Sequence, residues 1–141
     1  MGARFALFLF PLALGFVAAA QESGRVAKST LDGVYTVDQA TRGKVTFDNN
    51  CSECHMSDLS GRSGPALKGD SFMEHWRGKS VGSLFEKIKT TMPADWRTQL
   101  SDPRTLDLVA FLLQENGFTA GDQELNTEVA GTLRIEDKTN R

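Results

Sequence analysis

Two cysteines, Cys51 and Cys54, stand three residues apart in the run Cys51-Ser52-Glu53-Cys54-His55, and the 141-residue chain has no others. A disulfide between them would close a loop too small to remove much chain entropy from the unfolded state, so a structural staple is a poor use of the pair. C-x-x-C followed at once by histidine is the spacing that fastens a c-type haem. Each thiol adds to one vinyl group of the porphyrin, and the adjacent imidazole is carried beneath the ring to the iron. A thioredoxin-like redox pair would need a βαβ pattern around it, and a structural zinc site two further ligands. His75 is the one other histidine in the sequence, so zinc is poorly supported.

A six-coordinate iron needs a ligand on its other face, and beyond the first residues the candidates are Met56, Met73, Met92 and His75. Met56 adjoins His55 and cannot pass around the ring. Met92 follows at a distance that an extended chain of about 3.3–3.6 Å per residue spans with ease. It comes after a predicted helix and before Pro93, whose ring restricts the backbone. As a plain core residue Met92 would fill a gap, and Met73 or His75 could take the iron in its place.

The elements that must position these groups read as helices. Thr36 followed three residues later by Gln39 is a capping-box pattern, and Ala40, Gly43 and Phe47 recur at helical spacing, which predicts a helix over Val37 to Asn49. Glycine inside it costs about 1 kcal/mol relative to alanine, a cost offset if another helix crosses there at close range. Ser52 to Lys79 reads as an extended loop with one short helical turn around Phe72 to Trp76. Ser80 caps a second helix to Lys89, with Leu84 and Ile88 on one face, and Pro93 ends it. Ser101, Asp102 and Pro103 start a third, which runs to Asn116, stops at Gly117 and carries a stripe of Leu106, Val109, Ala110 and Leu113. The expected class is all-α: three main helices plus loops wrapped around one covalent haem.

Residues 1–20 hold a single charge, Arg4, then an uncharged run from Phe5 that ends in Ala18-Ala19-Ala20. That is the pattern of a secretory signal peptide cleaved before Gln21, and it predicts a periplasmic or otherwise exported protein. Residues 21–33 read as a flexible lead-in, 34–118 as the domain, and 119–141 as a polar, acidic tail. Leu125, Val129, Leu133 and Ile135 could fold that tail back, a point the sequence leaves open. The remaining chain is lean in apolar residues for its size, which points to help from a bound group. A net charge of −2 gives no reason to expect nucleic acid. No later apolar stretch is long enough for stable membrane insertion.

With Gly43 and Phe47, the C-x-x-C-H, Gly64-Pro65-Ala66-Leu67, Thr91-Met92-Pro93 and the closing helix through Leu113, the chain resembles a monohaem class I c-type cytochrome over 34–118. It is similar to the cytochrome domains that occur alone or joined to quinoprotein dehydrogenases. The resemblance implies that the first and last helices cross at Gly43 and that the Pro65 carbonyl accepts the second ring N–H of His55. Without it, Gly64-Pro65 is only a turn. Phe47, Leu67, Leu84, Ile88 and Leu113 would bury the ring. Trp76 and Trp96 would line the pocket, bond a propionate, or simply pack, and Tyr35 reads as core.

The implied function is a soluble exported electron carrier with one low-spin haem c, ligated by His55 and Met92, that docks transiently with redox partner proteins and is not itself an enzyme. The alternatives are a haem subunit of a dehydrogenase or sulfur-oxidising complex, and an open-site haem protein acting on peroxide or a small gas. Residues 62–97 carry an excess of basic side chains and 98–141 an excess of acidic ones. That split predicts a mildly basic face around the haem edge that steers toward an acidic partner.

Overall fold

The structure, a computed structural model, describes residues 29–94 and 99–137. The leader expected over 1–20 and Trp96 lie outside them. A 3-10 turn at Thr30–Asp32 is followed by α1 (Val37–Asn50), α2 (Ser52–His55), α3 (Asp70–Trp76), α4 (Val81–Thr91), α5 (Asp102–Glu115) and α6 (Thr127–Thr132). The described chain is all-α, with one isolated antiparallel bridge between Ser80 and Arg134.

The central contact is α1 against α5. A Cβ built on Gly43 would fall 1.9 Å from the carbonyl oxygen of Asp107, so the two backbones meet with no room for a side chain. One turn along, the Phe47 and Phe111 rings pack with centroids 5.3 Å apart. Arg42 flanks the crossing and bonds Asp107 twice, through Nε at 3.1 Å and Nη2 at 2.9 Å. In α5 every residue from Thr105 to Leu113 is buried, more than the expected stripe, because α1 and α4 both pack on this helix.

The helix starts combine expected and unexpected chemistry. Thr36 Oγ1 accepts the Gln39 N–H at 3.1 Å, as the pattern predicts. The reciprocal half of the box does not form. Gln39 is 2% exposed, and its side chain points away into a paired latch: Nε2 donates to Leu125 O at 2.9 Å, and Oε1 accepts the Leu125 N–H at 2.8 Å. Ser80 Oγ accepts the Ser83 N–H at 3.0 Å and caps α4. Ser101 makes no side-chain cap, and its carbonyl takes both the N–H and the hydroxyl of Thr105.

The polar tail expected from 119 onward is, through 137, packed into the body. Leu125, Ala130, Leu133 and Ile135 are all buried. The segment is strapped down in sequence order. The hydroxyl of Tyr35, which burial pushes up to about 12, donates to Phe118 O. Gly121 N–H bonds Tyr35 O, the Gln39 latch holds Leu125, Asn126 caps α6, and Val81 N–H bonds Leu133 O. Gly78 N–H reaches Ile135 O, and Ile135 N–H returns to Lys79 O.

Order also begins earlier than Val34. Thr30 is buried, and its hydroxyl donates to Arg134 O and accepts the Glu136 N–H, each at 3.2 Å. The two ends of the described chain therefore close on one another.

Gln39→Ala is expected to lower stability by about 2–4 kcal/mol, since a buried donor and acceptor at Leu125 lose their partners together. Hydrogen exchange should then accelerate at the Leu125 amide before it does in α5.

Candidate functional site

The motif is presented on a single helical turn. Cys51 ends α1, its N–H bonded to Phe47 O at 2.8 Å, and its own carbonyl accepts the N–H groups of Cys54 and His55 at 3.2 and 3.0 Å. Residues at i, i+3 and i+4 share a helix face, so Cys51, Cys54 and His55 project from one side of the turn. Both thiols are free, Cys51 half-buried and Cys54 exposed. Burial, with a smaller contribution from neighbouring Cys54, pushes the Cys51 thiol up to about 11.

His55 is 7% exposed, and its Nδ1 lies 2.7 Å from Pro65 O. A carbonyl only accepts, so Nδ1 carries the hydrogen and the lone pair sits on Nε2, free for a metal. The residues in between are folded to bring Pro65 there. Met56 and Leu59 turn the chain with φ of 62° and 64°. The carbonyl of Cys54 then accepts the N–H groups of both Arg62 and Gly64, and His55 O accepts that of Gly61. Arg62 closes the outside by donating to Glu53 O at 2.7 Å.

Gly64 has a part that sequence reasoning missed. A Cβ there would lie 2.6 Å from His55 Cε1, so the imidazole rests directly on the glycine backbone. A glycine placed just before the predicted acceptor was the available sign. Asn116, read only as a helix end, was missed as well. Its amide donates to Leu67 O at 3.0 Å and accepts the Gly69 N–H at 2.9 Å, which ties the end of this loop to the C-terminus of α5.

The remaining predicted residues fall in several places. Phe47 is buried under α5 and linked to the motif through Cys51, while Leu67 is half-buried and bonded through its N–H to Leu59 O. Met92 caps the C-terminus of α4, its N–H on Ile88 O at 3.0 Å. It packs on the same apolar cluster as Cys51, Leu67 and Met73. His75 is exposed, with its ring edge against Trp76. Trp76 is buried on Phe72 under the Lys79 ammonium. An open cleft between α4 and α6, lined by Ser83, Glu86 and Thr127 among others, shares no residue with the motif.

The donors fit a haem that brings its own in-plane nitrogens: two free thiols for the vinyl groups and one oriented imidazole for the iron, all on one turn. Part of the charge split read along the sequence is paired off in space. Lys68 pairs with Glu115, Arg77 with Asp137 and Lys89 with Asp102, so basic residues of the middle segment meet carboxylates of the acidic one.

The profile of the family described as cytochrome C oxidase, cbb3-type, subunit III matches residues 38–112, more than half of the chain. Among solved structures, the crystal structure of the sulfane dehydrogenase SoxCD from Paracoccus pantotrophus is similar at a TM-score of 0.50 and 22% identity. The alignment covers 89% of this chain and 68% of that one, and the likeness is one of fold. Comparison with curated protein sequences gave no match. No described helix is long and apolar enough to cross a membrane. Because the profile runs from the first turn of α1 to the last of α5 and takes in the whole thiol-imidazole turn between them, the chain belongs to this family of c-type cytochrome domains, haem proteins of the class I kind that carry electrons.

Proposed function

We propose that the protein is an exported one-electron carrier that holds a single haem c through Cys51 and Cys54, with His55 and Met92 as axial ligands. Bound there, haem supplies a ferric/ferrous couple. The observation that carries the reading is the His55–Pro65 bond, which fixes the tautomer and the ring of an imidazole beside two free thiols.

Each side chain has a task. The thiols make the attachment permanent, and the imidazole is aimed by Pro65 and Gly64. With haem bound, the Met92 thioether would hold the iron opposite His55, leave oxygen and peroxide no vacant place, and raise the potential. Phe47, Leu67, Leu84, Ile88 and Leu113 keep water away, which disfavours added positive charge and raises the potential further. The leader pattern of residues 1–20 supports export to an oxidising compartment. Electron-transfer docking uses small, short-lived interfaces, so redox partners are expected to bind transiently. A fixed place as the haem subunit of a dehydrogenase is the second reading, favoured by the fold shared with SoxCD.

The matured protein is expected to give the haemochrome spectrum of a thioether-linked haem, and the oxidised form a sulfur-to-iron charge-transfer band. Met92→Ala is expected to keep the covalent haem, lose that band and bind carbon monoxide when reduced. Its midpoint should fall by the order of 100 mV, well inside the ~0.8 V that axial ligation spans. An unchanged potential would move the ligand to Met73 or His75. Recovery of the protein in a stable complex with a dehydrogenase would favour the second reading.

A further inference from the structure

One side chain ties the last turn of α4 to the start of α5, three residues ahead of Met92. Lys89 lies in the last turn of α4, and its ammonium donates to the carbonyl oxygen of Leu100 at 2.6 Å and meets the carboxylate of Asp102 at 2.7 Å. Leu100 is buried in the core, and Asp102 is the first residue of α5. The lysine therefore spans from the end of one helix to the start of the next, just ahead of the methionine.

The two contacts are not equal. The Asp102 side chain is 58% exposed, and an ion pair open to water contributes little. The Lys89 side chain is 31% exposed, with most of its stem covered, and its bond to Leu100 O is charge-assisted and reaches the backbone of a buried residue. A cation in the last turn of α4 also complements the partial negative charge of that helix end.

We infer that Lys89 is a positioning residue for Met92: by tying the last turn of α4, which Met92 caps, to the buried backbone of Leu100 ahead of α5, it holds in place the residue that carries the thioether. The inference rests on the reading of Met92 as axial ligand. Lys89 touches neither the ligand atoms nor the motif. Its effect is on how often the thioether leaves its position, and so on how readily an external ligand takes that place.

The test uses matured, full-length holoprotein with added imidazole as the competing ligand of the ferric form. Lys89→Met keeps the length of the stem and removes the donor. It is expected to raise the apparent affinity for imidazole about tenfold, the factor that loss of one hydrogen bond to a charged group makes in an opening equilibrium. It should also weaken the sulfur-to-iron band. Lys89→Arg, which keeps a donor and a charge, should restore most of both. Asp102→Asn should change imidazole affinity by less than about fivefold, as befits an exposed pair. Gln39→Ala, which destabilises the fold elsewhere, should leave imidazole affinity at the wild-type value and so separates positioning from general loss of stability.

An intact band with wild-type imidazole affinity in Lys89→Met overturns the inference and leaves Met92 as ligand. Absence of the band from the wild-type protein overturns both together. If Lys89→Met fails to yield holoprotein, Lys89→Gln is judged by the same two readouts.

Discussion

His55→Ala is expected to leave almost no stable holoprotein. The substitution removes the donor on which the Nε2 lone pair sits, the 2.7 Å bond to Pro65 O, and the ring that covers the Gly64 backbone. Loss of a partner that merely orients a ligand already weakens such sites about 10–100-fold, so loss of the ligand itself should exceed that. The measurement is haem per chain after expression with the thioether-forming machinery, read from absorbance and from haem that stays with the denatured polypeptide. Cys51→Ala with Cys54→Ala should give a distinct failure, in which no haem survives denaturation even if some colour is present beforehand. Wild-type haem content in His55→Ala would show that another side chain holds the iron.

Gly43→Ala is expected to be the most damaging single methyl that can be added to the fold. The new Cβ would sit 1.9 Å from Asp107 O and 2.5 Å from Asp107 C, both backbone atoms in the middle of α5. A flexible side chain could step aside, but a helix must move as a whole. Separation of α1 from α5 would also loosen the Phe47–Phe111 ring pair and the bonds from Arg42 to Asp107. Overpacking costs typically 1–3 kcal/mol where neighbours relax, and here about 3 kcal/mol or more is expected because they do not. For a domain of this size that lowers the thermal midpoint by on the order of 10 °C. Gly131→Ala is the matching control, since a Cβ there meets nothing within 4 Å. Equal midpoints for the two variants would mean that the helices do not cross as described.

What the sequence disclosed was local. The thiol-imidazole turn is five consecutive residues whose chemistry needs no tertiary context, and Gly43 stood out because glycine inside a helix is unfavourable unless close approach demands it. The three long helices were legible for the same reason, as caps and periods lie within each segment. The rest depended on what a residue meets across space. Gln39 fits a capping box by its spacing, yet the same amide serves equally well turned inward against Leu125. Leu125, Ala130, Leu133 and Ile135 have no regular period, and much of what holds them is main chain, at Tyr35, Gly78, Lys79 and Val81, which sequence does not advertise. Gly64 looked like half of a turn because its true requirement is the ring of His55 lying on it. The basic and acidic segments are partly joined across space, since Lys68 and Arg77 find their carboxylates on later elements.

The contact between Thr30 and Arg134 makes closure of the fold a long-range event along the chain. The partners of α1 lie far along the chain, in α5 and in the strap, so the first helix stays exposed until those distant segments reach it. Pairing between such distant parts of a chain slows folding. Until residues as late as Ile135 dock, Val81 and the turn at Gly78 lack the main-chain partners that close them. During that interval the incompletely folded polypeptide presents apolar surface and unpaired amides, the state in which chaperones and proteases compete for it.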